Sequence, residues 1–552
     1  MTDAVSKAEK VGAEHLDAVD NDLAHLANQE EHELTKWESI KKYPLAVAWS
    51  VFAVWCVLLV SFENQAAGNI ISVPKFREDF GHEVDGSYVL YAKWQSAFQG
   101  APVASGVVGA LGCGTIADWL GRRAVIIICL VIAYAAITME FVATTNELFF
   151  GGKFLNGFSV GALASVTVSY IGEVRIKRTI DLELVLTCLR SPPWLFVACL
   201  PASRVSPTLS VSLVVALVVN ETGNYDSHWA YRAVFCAQYG FAVVATLFVP
   251  FMPESPWWLA SRGKQDKAIK ALARLSSRGE EGEKRLAAIN KTLEEIKQET
   301  EGATYMECFR KSNLRRTIIS IGPLCIQSLC GITFVASYGT YYMQLAGYST
   351  PESFKLQIVQ QVISLIGNVM SWYLVDRMGR RSLTFWGLFV LTIILWLTGG
   401  LAVAATAGAI KGTVAMILIY CWWYNVTIGA TAYTVLTEVS TSRLRVKTVA
   451  IGLAAQNLLN MMWSFVLPYL FNPDKANLGA KLAFIFGGLA ILSLVFLWFN
   501  LPETAGRTYE ELDEMFMKGV PSRAFKGYKT DAETNGEAVK TVYNAEAKQI
   551  DN

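Results

Sequence analysis

The chain has 552 residues, 53% hydrophobic and 17% charged, with a mean hydropathy of +0.33 and a formal net charge of +1. A soluble globular chain carries about 25% charged residues, so this composition points to an integral membrane protein. No basic domain stands apart to bind nucleic acid, and no nucleophile–base set or cofactor motif marks an enzyme or a bound cofactor.

Residues 1–43 are polar, with ten acids against five lysines, and read as a soluble tail rather than a cleavable signal peptide. Apolar stretches long enough to cross roughly 30 Å of hydrocarbon follow near 44–73, 90–113, 124–143, 148–170, 229–251, 317–343, 354–375, 382–404, 413–436, 447–471 and 478–500. These are eleven spans, and a twelfth is needed between 180 and 220 to keep two halves alike. Most of the ten cysteines lie inside apolar runs, where a thiol behaves as a small hydrophobe, so they predict neither disulfides nor a metal site.

Under a twelve-span count, Arg122-Arg123, Lys177-Arg178, the basic stretch 262–316, Arg380-Arg381 and Arg443-Arg445-Lys447 share one side. The positive-inside rule makes that side cytoplasmic, with both termini, and a multi-pass plasma-membrane protein is expected. Between the halves, Ile269, Leu272, Leu275, Leu286, Ile289, Leu293 and Ile296 recur at helical spacing among mixed charges. That pattern predicts cytoplasmic surface helices over 264–300. The expected layout is a tail (1–43), a six-helix bundle (44–251), linker helices (252–316), a second six-helix bundle (317–500) and a tail (501–552).

Three landmarks repeat in one order. Asp118-Trp-Leu-Gly121-Arg122-Arg123 recurs 258 residues later as Asp376-Arg377-Met-Gly379-Arg380-Arg381. Pro253-Glu254-Ser255 recurs 249 residues on as Pro502-Glu503-Thr504, and Glu173 has its counterpart 265 residues on in Glu438. The chain reads as a duplicated membrane protein, and parallel halves are the architecture of many secondary transporters.

At these motifs the chain resembles the sugar-porter branch of the major facilitator superfamily, over about residues 44–517. That family carries Asp-Arg-x-Gly-Arg-Arg after its second and eighth spans, Pro-Glu-Ser-Pro after the sixth and Pro-Glu-Thr-x-Gly after the twelfth. The forms Pro253-Glu-Ser-Pro-Trp-Trp-Leu259, Ile326-Gln-Ser-Leu-Cys-Gly-Ile-Thr-Phe334 and Pro502-Glu-Thr-Ala-Gly-Arg-Thr-Tyr-Glu-Glu-Leu512 look most like fungal α-glucoside (maltose-type) permeases. The resemblance implies an all-α, twelve-transmembrane-helix fold of two six-helix halves. It also implies a monomer working in the lipid bilayer, with a sugar and a proton as its small partners.

The resemblance assigns a cytoplasmic gate to Asp118, Arg122, Arg123, Glu173, Asp376, Arg377, Arg380, Arg381, Glu438 and Arg445. Ion pairs among them hold the carrier shut on that side and break as it opens inward; anchoring of the arginines at anionic lipid is the plainer alternative. Trp119 departs from the pattern, standing where the family has arginine. The implied substrate contacts are Gln327, Tyr433, Asn457 and Asn460, since an amide held in a dry cleft both donates to and accepts from sugar hydroxyls. Ser328 and Thr333 replace the family's second glutamine and asparagine.

Glu63 is the only acid of the first apolar stretch and lies in a polar, Gly68-containing interruption, which predicts a broken helix lining a cavity. An intramembrane carboxylate is costly unless paired or protonated. Proton-coupled sugar porters have an acid here facing a basic residue in the fourth span, which would be Lys153. A static Glu63–Lys153 pair, or a Glu63 exposed at the outer surface, is the plainer alternative.

Residues 173–222 lack glycine and carry Pro192, Pro193, Pro201 and Pro207 with Arg190 and Arg204. The stretch is either a severely diverged fifth span or a misread one, as from a retained intron or local frameshift. The readings open at this point are a proton–sugar symporter, a hexose facilitator without coupling, and a non-transporting sugar sensor of the same fold; the ordinary length after Leu501 counts against the sensor. Sequencing the transcript across codons 174–210 is expected to show a form with glycine and glutamine restored. A message identical to the present reading, whose product transports sugar, overturns that expectation.

Overall fold

A computed structural model describes residues 41–174 and 207–528, apart from short breaks at 85–86, 276–278, 301–303, 405, 441–443, 473–474, 506 and 508. Most of the predicted fifth span (175–206) and nearly all of both tails lie outside the described residues. The chain divides into two compact units, one running to Glu301 and including Ser349–Ile358, the other formed by Gly302–Tyr348 and the residues from Val359 onward.

The first unit is built from α1 (Pro44–Ile70), α2 (Pro74–Phe80), α3 (Ala92–Leu120), α4 (Arg122–Val142), α5 (Asn146–Val174), α6 (Pro207–Thr222) and α7 (Trp229–Phe248). A small antiparallel hairpin, β1 (His82–Val84) with β2 (Ser87–Val89), sits between α2 and α3, with His82 opposite Val89. Pro44 and Pro74 open their helices, where a missing N–H costs nothing. The predicted break in the first span is absent. α1 runs unbroken through Glu63 and Gly68 to Ile70, because Glu63 is satisfied by side chains of neighbouring helices and needs no freed backbone.

Contact between α3 and α5 depends on small residues. A Cβ on Gly161 would lie 2.0 Å from the carbonyl oxygen of Gly106 and 2.6 Å from its Cα. One on Gly157 would lie 2.3 Å from Cα of Pro102. Both obstacles are backbone, which cannot rotate aside. Gly157 and Gly161, one helical turn apart, therefore let two spans approach as closely as small-residue packing in membranes allows.

Three short helices follow: α8 (Pro256–Ser261), α9 (Gln265–Arg274) and α10 (Glu280–Thr300). They bury Leu259, Ala268, Leu272, Leu286 and Ile289 in a small core of their own, with Ile269 and Leu293 packed against it. This is the apolar stripe of the 264–300 periodicity.

The second unit contains α11 (Lys311–Leu329), α12 (Ile332–Leu345), α13 (Thr350–Met378), α14 (Arg380–Ala404), α15 (Ala407–Val426), α16 (Ile428–Val439), α17 (Arg445–Phe471), α18 (Leu482–Asn500) and α19 (Tyr509–Met517). Two spans are broken here instead. The seventh divides into α11 and α12 at Gly331, whose φ is 90°, and the tenth into α15 and α16 at Thr427. Side chains satisfy carbonyls at both breaks: Tyr420 Oη donates to the Cys330 carbonyl at 2.8 Å, and Thr427 Oγ1 donates to the Trp423 carbonyl at 2.7 Å, while Gln327 Nε2 donates to the carbonyls of Ile428 and Gly429 at the start of α16 at 2.8 and 3.1 Å. Irregular backbone at membrane depth persists only when its polar groups find such partners.

Among the described residues, ten helical segments are long and apolar enough to cross a membrane. The 27-residue α1 fills the first position and α6 falls at the fifth, so the fold is an all-α membrane bundle of twelve spans.

Gly161→Ala tests the close approach, with Gly240→Ala, whose Cβ meets nothing within 4 Å, as its control. Overpacking a close contact costs about 1–3 kcal/mol, so Gly161→Ala is expected to lower the melting temperature in detergent while Gly240→Ala leaves it within error. Equal melting temperatures would contradict the packing argument.

Candidate functional site

Inside the first unit, three charged side chains meet with no exposed surface. Lys153 Nζ lies 2.7 Å from Glu63 Oε1 and 3.0 Å from Glu140 Oε2, and all three residues are 0% exposed. Glu63 comes from α1, Glu140 from α4 and Lys153 from α5. Asn156, three residues past Lys153 and so on the same face of α5, donates to both acids: 2.7 Å to Glu63 Oε2 and 3.0 Å to Glu140 Oε1. Gln238 of α7 donates to Glu63 Oε2 at 3.2 Å. Gly152 makes the meeting possible, since a Cβ there would lie 2.7 Å from Glu140 Cγ. The rings of Phe149 and Phe235 close over the ammonium, their centroids 5.4 and 5.3 Å from Nζ.

Burying an unpaired ion costs several kcal/mol, so both acids depend on Lys153. The sequence expectation placed Glu63 opposite Lys153 and missed Glu140. The missed signal was available, since Glu140 is the one acid in the apolar stretch 124–143.

The repeated motifs build the same local geometry in both units. Arg122 Nη2 lies 2.7 Å from Glu173 Oε1 and its Nη1 lies 3.1 Å from Asp118 Oδ1. Arg380 Nη2 lies 3.1 Å from Glu438 Oε1. The backbone N–H of Arg122 donates to Glu254 at 2.9 Å, and that of Arg380 donates to Glu503 at 2.8 Å. Each Pro-Glu-Ser/Thr glutamate thus caps a transmembrane helix remote in sequence, placing an anion at the positive end of its dipole. Gly121 (φ 96°) and Gly379 (φ 82°) precede those helices, and a Cβ on either would lie 2.6 Å from the capping carboxylate. Glycine is required there on both counts.

The remaining gate candidates divide. Arg123 donates its backbone N–H to Glu254, at 3.3 Å to Oε1 and 3.2 Å to Oε2. Arg381 reaches the backbone carbonyls of Trp498 at 3.2 Å and Ser522 at 3.5 Å. Arg377 is exposed and stacks on Tyr373, 4.5 Å from its centroid. The side chains of Asp376 and Arg445 are outside the described set. Trp119 is 73% exposed. Sequence reasoning missed Glu254 and Glu503 as caps, and Thr504, which donates to Glu438 Oε2 at 2.6 Å.

In the second unit Gln327 and Tyr433 belong to one chain of polar contacts and Asn460 to a second, formed with Ser328. Gln456 Nε2 donates to Gln327 Oε1 at 2.8 Å, and Tyr433 Oη donates to Gln456 Oε1 at 3.2 Å. Ser328 Oγ donates to Asn460 Oδ1 at 2.7 Å. Gln456 and Asn460 are four apart and share a face of α17; Asn457, one step round the helix, is exposed. The amides and hydroxyls gathered here are donors and acceptors of the kind that recognise a polyhydroxyl ligand.

A family profile described as "Sugar (and other) transporter" matches residues 49–178 and 209–516, leaving out 179–208. The chain is 30% identical over 540 residues to the alpha-glucosides permease MPH3 of Saccharomyces cerevisiae, covering 96% of this chain and 86% of that one. It is 29% identical over 534 residues to the yeast maltose permease MAL31, covering 95% and 84%. Among solved structures, the inward-open xylose transporter XylE of E. coli superposes with a TM-score of 0.63 at 19% identity, over 85% of this chain and 99% of that one; this likeness bears on the fold alone. The chain belongs to the sugar transporter family of the major facilitator superfamily, and is a multi-pass membrane transporter rather than an enzyme.

Proposed function

We propose that this protein takes up an α-glucoside such as maltose across the plasma membrane together with a proton, by alternating access. The observation that carries the proton is the buried Glu63–Lys153–Glu140 group, which passive sugar movement does not need. The substrate class is supported by relatives named for α-glucosides and maltose, and by the polar chains around Gln327, Gln456 and Asn460. Two six-helix bundles, 44–251 and 317–500, are the moving parts, and the linker 252–316 and both tails lie in the cytoplasm. The transporter acts as a monomer in the bilayer.

In this reading Gln327, Tyr433 and Asn460 contact sugar, with Asn457 at the edge of the site. Gln327 spends its amide on backbone carbonyls and Gln456. A sugar hydroxyl inserted between the two amides can donate to Gln327 Oε1 and accept from Gln456 Nε2, leaving neither buried group unpaired. The ion pairs Arg122–Glu173 and Arg380–Glu438 hold the motif ends in the outward-facing state.

Arg380→Gln removes the cation facing Glu438. A charge-assisted contact is worth about 1.5–3 kcal/mol, so closure of the cytoplasmic side is expected to weaken on the order of tenfold or more. Cysteine labelling from the cytoplasmic side should rise and uptake should fall; unchanged labelling and uptake would sink the gate role.

Glu63→Gln fixes the neutral form of that acid. Accumulation of radiolabelled maltose against its gradient in transport-deficient yeast should vanish, along with sugar-induced alkalinisation of the medium, while downhill exchange continues. Concentrative, proton-dependent uptake in Glu63→Gln would remove Glu63 from the mechanism. A hexose facilitator would show no alkalinisation even as wild type.

A further inference from the structure

The buried group holds two carboxylates and one ammonium, and its charges do not balance. Lys153 contacts both acids at 2.7 and 3.0 Å, and Asn156 bridges them. Among the described residues, the charged groups acting on Glu140 are Glu63 and Lys153, and Gln238 and the rings of Phe149 and Phe235 complete the surroundings. With both acids ionised the site carries one uncompensated negative charge in a region with no exposed surface. A single proton cancels it.

A second observation points the same way. Among the described residues, Asn156 Oδ1 and Gln238 Oε1 are buried acceptors without a hydrogen-bond partner, although both residues already donate to the acids. Buried acceptors left unpaired lose the hydrogen bonds they would make to water. The group is rich in acceptors and short of donors, and a carboxylic O–H supplies the missing donor.

We infer that Glu140 shares the transported proton with Glu63, so that the proton site is the pair of acids facing Lys153 rather than Glu63 alone. The inference rests on the proton-coupled reading above. One proton arrives from the outer medium, forms an O–H bond on one of the two carboxylates, and is released to the cytoplasm when that bond breaks; nothing else is exchanged. With the proton the group is neutral and can be enclosed without water. Without it the excess charge resists enclosure, so the carrier is discouraged from closing over sugar alone.

Glu140→Gln tests this. It leaves Glu63 opposite Lys153, already a neutral pair, so proton loading requires a more acidic medium. The profile of concentrative maltose uptake against external pH is expected to shift towards acid by about one pH unit, read per molecule of tagged protein at the cell surface. A Glu140 that only packs would lower the amount or rate of transport without moving the profile. A profile superimposable on wild type overturns the inference. If Glu140→Gln does not reach the surface, Glu140→Asp decides: it keeps an acid but draws it back from Lys153, which favours the protonated form, so a shift of the profile towards alkaline supports sharing while an unmoved or acid-shifted profile rejects it. Loss of coupling in Glu63→Gln alongside an unmoved Glu140→Gln profile sinks this inference alone. Intact coupling in Glu63→Gln sinks the symport reading beneath it.

Discussion

A charge inside hydrocarbon must be matched by another charge or by a proton, and that constraint organises this protein. Four helices of the first half, α1, α4, α5 and α7, send a polar side chain to one buried point. Their packing follows from it. Gly152 leaves room for Glu140, and the small-residue contact of α5 with α3 fixes the helix that carries Lys153 and Asn156. Removing Lys153 would strand two buried carboxylates, whereas removing either acid leaves one neutral pair, so Lys153 is the tie of the group.

The duplicated motifs answer the same constraint where helices end. A transmembrane helix starting at Arg122 or Arg380 exposes unpaired N–H groups, and in each half a glutamate from a distant Pro-Glu motif accepts from them. The arginine side chain then pairs with a second acid, Glu173 or Glu438. Two carboxylates, one arginine and a glycine of positive φ form a unit that was duplicated whole, which explains why three separate landmarks keep nearly one period.

Much of this was legible in the sequence because periodicity and repetition survive translation into structure. The spans, the linker helices and the motif geometry follow from apolar runs, helical spacing and the 249–265-residue offsets. What escaped depended on the fold bringing distant residues together. Glu140 meets Glu63 only after α4 and α5 turn back beside α1, and no local pattern encodes that meeting. The break expected near Gly68 is absent, and breaks lie instead at Gly331 and Thr427, where Tyr420 and Thr427 itself donate to carbonyls at the helix ends. Gln456, not Asn457, joins the polar chain, a difference of one residue that turns a side chain by about 100° on a helix. Residues 175–206 of the suspect stretch lie outside the described residues, and the family match also leaves out 179–208.

The central claim is that the buried group loads one proton for each sugar. It is tested most directly with purified wild-type protein in liposomes, measuring maltose-driven proton flux and transported charge together. One proton and one elementary positive charge entering per maltose is the predicted result. Maltose movement with neither proton flux nor current would contradict it.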